Sequence, residues 1–113
     1  MNRTDKILVS LYTLLAAMAL FATWSNNLAF FALPDNGGLA GFIRAANANP
    51  AAASIAWDVS FVCLAAFVFM FVEGRRLGVR YIWLYMLLSL CIAISVMFPL
   101  FLAARQMRIA RTR

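Results

Sequence analysis

Three apolar runs, at 7–33, 51–72 and 81–104, take up most of the 113 residues. Each matches or exceeds the roughly 20 residues, at about 1.5 Å of rise apiece, that carry a helix through a ~30 Å hydrocarbon core. In water the chain could not hide this surface. It is 65% hydrophobic and 12% charged, against roughly half and a quarter in soluble domains, and a small domain buries a smaller share of its surface than a large one. Lipid as solvent removes the contradiction. The expected fold is all-α: one membrane domain over 1–113, an integral bundle of three transmembrane helices with a short interfacial helix in the first loop.

The first run follows Arg3 and Lys6 and is interrupted late by Trp24-Ser25-Asn26-Asn27. At roughly 40 Å it exceeds the core thickness, so it tilts or ends in the interface with Trp24 near the headgroups. Pro34-Asp35-Asn36-Gly37-Gly38 stops it with turn-forming residues. Segment 37–49 mixes Leu39, Phe42 and Ile43 with Arg44, Asn47 and Asn49. It is too polar to span and suits a short helix lying in the interface. Pro50 fits the first turn of the second spanning helix, where its missing N–H is no loss. A basic turn at 73–80 follows, and then the third run, opened by the interfacial aromatics Tyr81, Trp83 and Tyr85. Pro99 should kink or loosen the last turns of that run. Residues 105–113 form a basic tail.

The net charge of +6 points to lipid rather than nucleic acid. Its Lys and Arg residues flank apolar runs, where orientation signals and anionic headgroups need them, and no nucleic-acid motif accompanies them. Three crossings would place Arg3, Lys6, Arg75, Arg76 and Arg80 on one side, and Arg44, Arg105, Arg108, Arg111 and Arg113 on the other. Five against five gives no winner and leaves insertion both ways open, while the N-terminal amine with Arg3 and Lys6 leans toward a cytoplasmic N-terminus. The chain has no histidine, and Cys63 and Cys91 lie far apart inside apolar runs. No cofactor, metal site or disulfide is expected.

Asp58 is the most informative single residue. A carboxylate well inside the second run costs on the order of 3 kcal/mol on insertion scales, so it should face the bundle and find polar neighbours. Counting depth along the runs brings Asn26, Asn27 and Ser95 near it, with Ser54 one turn before it on the same helical face. A buried polar cluster of Asn26, Asn27, Ser54, Asp58 and Ser95 is therefore expected. It would act as interhelical glue, as a proton-exchanging acid, or as a group that orients a ligand. In the basic turn, Glu73 and Arg76 are three apart and able to pair if helical. Gly74 and Gly78 permit a tight reversal, and Arg75 and Arg80 complete a segment suited to lipid headgroups or a docking partner.

Ala48-Asn49-Pro50, Ala56-Trp57-Asp58, Glu73-Gly74-Arg75-Arg76-Leu77-Gly78, the stretch 81–84 and Phe98-Pro99-Leu100-Phe101-Leu102 together resemble a bacterial family of small membrane proteins. That family is known only as domain of unknown function twenty-eight thirty-four. The likeness implies a small three-span protein, in the bacterial cytoplasmic membrane, and supplies no activity, substrate or cofactor. The leading functional reading is a non-enzymatic accessory or interaction subunit, with a protein partner or self-association. The alternatives are a small oligomeric transporter or lipophilic-ligand binder using Asp58, and an intramembrane enzyme acting on an isoprenoid-like substrate.

Overall fold

A computed structural model describes all of residues 1–113 as five helices and no strand. They are α1 (Arg3–Phe31), α2 (Gly38–Ala46), α3 (Pro50–Leu77), α4 (Ile82–Cys91) and α5 (Ile94–Arg111). Caps fix several of the ends. Asn2 accepts from the Asp5 N–H at 2.9 Å while the Asp5 carboxylate accepts from the Asn2 N–H at 3.0 Å, a reciprocal box that starts α1. Asn49 accepts from the Ala52 N–H ahead of Pro50, which takes the first helical position of α3. Gly78 ends α3 in the left-handed region, at φ 71°.

Two helices, α1 and α3, are long and apolar enough to cross a membrane, with mean hydropathy of 2.0 and 2.3 over their best windows. Those windows are only 6% and 11% buried, so neither is the covered core helix of a water-soluble fold. Only 12 of the 113 residues are buried, while Phe21, Leu39 and Leu90 stand 70% exposed or more.

The third apolar run does not form one helix. The chain breaks at Ile92–Ala93, where Ala93 is extended (φ −178°, ψ 142°), and it then reverses. At about 1.5 Å per residue α4 is roughly 15 Å long, and the apolar stretch 94–104 of α5 roughly 16 Å. Each is about half of a ~30 Å hydrocarbon core. Pro99 lies in the second turn of α5 rather than loosening the end of a long helix. Its ring opposes a continuous α-helix on its N-terminal side, by removing one i−4 bond and crowding the carbonyl that would accept it. The carbonyl concerned is that of Ser95, already inside α5, and the break lies a further two to three residues upstream. The carbonyl freed at Ile92 is taken up by the Trp24 indole N–H of α1 at 3.0 Å. Trp24 therefore holds the hairpin tip instead of anchoring at headgroups.

The α4–α5 hairpin packs against both long helices. Ala16 of α1 meets Val96 and Met97, with Ala19, Ala93 and Leu100 around them. On the other side Phe69 and Tyr85 edge against the wholly buried Phe101. Gly74 belongs to the middle of this contact and not to the reversal. A Cβ there would lie 2.7 Å from the Ile82 side chain and 3.4 Å from Phe101.

Candidate functional site

The hairpin gathers the two chain termini and the turn after α3 at one end of a molecule 53 Å long. Asp5, in the first turn of α1 before its apolar run, accepts from the Gln106 amide and the Arg113 guanidinium of α5, each at 2.7 Å. Glu73, just past the apolar run of α3, pairs with Arg76 within the helix and with Arg105 of α5 at 2.9 Å. Arg108 donates to the Leu77 carbonyl at 2.8 Å. The basic turn and the tail, expected on opposite faces, thus lie together at one end of the molecule. A broken run returns to the end it left.

Burial works to raise the Asp5 carboxyl, but the Gln106 and Asn2 hydrogen bonds and the Arg113 charge outweigh it and hold the group below the ordinary carboxylate range. Glu73 is held low chiefly by its hydrogen bond from Arg76, against burial, with Arg105 adding to the effect. Of the other turn residues, Arg75 lies over the Phe71 ring at 5.5 Å, and Arg80 is exposed in the reversal.

The other half of the molecule is open. Because α4 and α5 reach only part of the way along α1 and α3, a groove of about 1120 Å³ lies beyond their tip. Thr23 and Asn27 of α1 line it, as do Asp58 and Cys63 of α3 and Ser89 and Ser95 of the hairpin, among mostly apolar walls. The Thr23, Ser60 and Ser89 hydroxyls are spent on carbonyls of their own helices. α5 starts here without a side-chain cap, which leaves N–H groups of its first turn without intrahelical partners. A second cavity of about 390 Å³, between α1 and the hairpin nearer the charged end, is almost wholly apolar.

The sequence-derived cluster comes together only in part. Asn27, Asp58 and Ser95 share the groove, while Ser54 and Asn26 are exposed and outside its lining. The Asn26 amide donates to its own helix at the Ala22 carbonyl. Asp58 is exposed and hydrogen-bonded to none of the other four. No basic side chain lines the groove, and no three His, Cys, Asp or Glu side chains gather as a metal-holding set. Sequence reading assigned no role to Asp5 or Gln106, and it pointed Trp24 to the headgroups and Arg113 to the tail rather than to these contacts. Only the Asn2–Asp5 spacing carried a local signal, that of a helix start.

The model of the family described as protein of unknown function DUF2834 matches residues 11–107. No curated protein and no solved structure matches the chain.

Proposed function

The chain belongs to this family of unknown function, and we propose that it is a small integral membrane protein that binds a lipophilic molecule in the groove beyond the hairpin tip. In this reading α1 and α3 cross the bilayer, α4–α5 enters and leaves from one face, and α2 lies in the opposite interface. The membrane is the bacterial cytoplasmic membrane that the family resemblance implies. The observation that carries the binding role is the groove itself. Its volume of about 1120 Å³ exceeds the roughly 300–1,000 Å³ of common small-molecule sites. Its walls are apolar, and it is open where lipid would surround it.

The polar groups narrow the ligand class. Asp58 offers an unpaired acceptor, and the uncapped start of α5 offers backbone donors. A hydroxyl head satisfies both, by donating to the Asp58 carboxylate and accepting from an N–H of α5. An anionic head would meet the carboxylate with no cation nearby to offset the repulsion. The ligand class is therefore a long-chain or polyprenyl alcohol. An accessory-subunit role accounts for the exposed apolar faces but leaves the groove and Asp58 without work to do.

The test is organic extraction of detergent-purified protein followed by mass spectrometry, with Cys63→Phe filling the groove wall and Asp58→Leu removing its acceptor. A neutral lipophile should accompany the wild type, drop at least about tenfold in Asp58→Leu, the weight of one well-placed polar contact, and be lost from Cys63→Phe, whose ring takes up its space. Equal carry-over in all three, or bulk phospholipid alone, would show that the groove is simply filled by bilayer lipid.

A further inference from the structure

The five-against-five charge tie belongs to a three-crossing chain, and this chain does not fold as one. The contacts of Asp5 with Gln106 and Arg113, of Glu73 with Arg105, and of Arg108 with the Leu77 carbonyl put both termini and the 73–80 turn at one end. Arg3 and Lys6 at the start of α1 lie there. So do Arg75, Arg76 and Arg80 around the end of α3, and all four arginines from 105 onward. Nine of the ten cations are at this end, with Asp5 and Glu73 as its carboxylates. At the far end Arg44 stands with Asp35. Both carboxylates of the charged end are already engaged by Arg113, Arg76 and Arg105. The other six cations have no acidic partner.

Resting on the membrane reading above, though not on the groove's ligand, we infer that this end faces the cytoplasm and docks on anionic phospholipid headgroups, so that both termini are cytoplasmic and α4–α5 is a re-entrant hairpin. Lys and Arg within short segments next to spanning helices set orientation, and nine against one is decisive where five against five is not. The partner follows from the same charges. Unpaired cations at three helix ends lie where the cytoplasmic leaflet presents its negative surface potential. The hairpin carries α5 back to that surface, which places Arg105, Arg108 and Arg111 on the same face as Arg75 and Arg80. The distance also fits. From Gln106 to the break is about 20 Å along α5 at 1.5 Å per residue. By that ruler the tip lies about two-thirds of the way into a ~30 Å core.

The test uses the full chain in a background of Cys63→Ala and Cys91→Ala. Single cysteines at Thr4, Ala48 or Thr112 are labelled with a membrane-impermeant maleimide in right-side-out and inverted vesicles. Thr4→Cys and Thr112→Cys should react only in inverted vesicles, and Ala48→Cys only in right-side-out ones. Thr112→Cys reacting on the same side as Ala48→Cys would mean that the third run crosses. Exchange of the two patterns, or half labelling throughout, would mean that the charged end does not settle in the cytoplasm. Each of these overturns the inference. Loss of the protein from vesicles on carbonate washing would instead sink the membrane reading.

The lipid partner is read separately, in nanodiscs of equimolar phosphatidylglycerol and phosphatidylcholine. Phospholipid retained after detergent exchange should favour phosphatidylglycerol by at least about fivefold, the weight of one cation beside an anionic surface. Arg3→Gln/Arg80→Gln/Arg111→Gln, three exposed side chains with no ion pair, should lower that preference clearly while leaving the labelling pattern unchanged. Parity in the wild type would remove the headgroup partner.

Discussion

Replacing Trp24 by Phe removes one hydrogen bond and tests the hairpin at its tip. The Trp24 indole N–H reaches the Ile92 carbonyl at 3.0 Å across 68 residues of sequence. That carbonyl lies next to the break between α4 and α5, where no continuous helix supplies a donor. Phe keeps most of the ring and its packing but has no N–H. The cost is therefore that of an unsatisfied carbonyl in a dry setting, about 1–3 kcal/mol. This corresponds to roughly a 5- to 150-fold change in the folded-to-unfolded ratio, at about 1.4 kcal/mol per tenfold. Reversible unfolding in mixed micelles, followed by far-ultraviolet circular dichroism, measures it. Trp57→Phe and Trp83→Phe are the controls, because both side chains are more than 60% exposed and neither indole donates a hydrogen bond. If Trp24→Phe behaves like these two, within about 0.5 kcal/mol, the carbonyl has another partner and Trp24 does not hold the hairpin.

The carboxylates at the charged end set an acid limit. Asp5 and Glu73 are held below their ordinary values of 3.8 and 4.5, so the stability they lend is complete above the higher of these and is lost as pH falls through their lowered native values. Melting temperature in detergent should be flat near neutral pH and drop steeply below about pH 4; Asp5→Asn/Glu73→Gln should start lower and lose most of that dependence. Gly78→Ala places a Cβ on a backbone at φ 71°, 3.2 Å from Arg108. It should cost about 1–2 kcal/mol, visible as a lowered midpoint in the same micellar unfolding, whereas Gly38→Ala has no such neighbour and should show only the backbone part.

How much of this could be read from the residues depends on what each signal measures. Helix positions are local properties. Pro50 behind Asn49, the Pro34–Gly38 stop and the apolar lengths of α1 and α3 all announce themselves within a few residues. The course of the third run is not local. A 24-residue apolar segment satisfies hydropathy equally well as one crossing or as two half-length helices, and 91–95 reads Cys-Ile-Ala-Ile-Ser, with neither Gly nor Pro to mark a reversal. Pro99 is one local trace, but it lies inside α5, six residues past Ala93. What closes the hairpin is long-range: Trp24 to Ile92, and Asp5 to Gln106 across 101 residues. The groove shares this fate. Depth counting placed Asn27, Ser95 and Asp58 near one level, but it could not say that the helix meant to fill the space beside Asp58 stops short. Two sequence facts did point toward the reversal. Arg105, Arg108 and Arg111 recur every three residues, which suits one face of a helix continuing past 104, where a disordered tail needs no such period. The charge tie is the other. Orientation by charge works because one side of a membrane protein carries an excess, so a balanced count under an assumed topology argues against that topology as much as for dual insertion. Moving the last four arginines to the side of the first five turns a tie into a strong bias, and a third run that comes back, as α4–α5 does, is a fold that moves them.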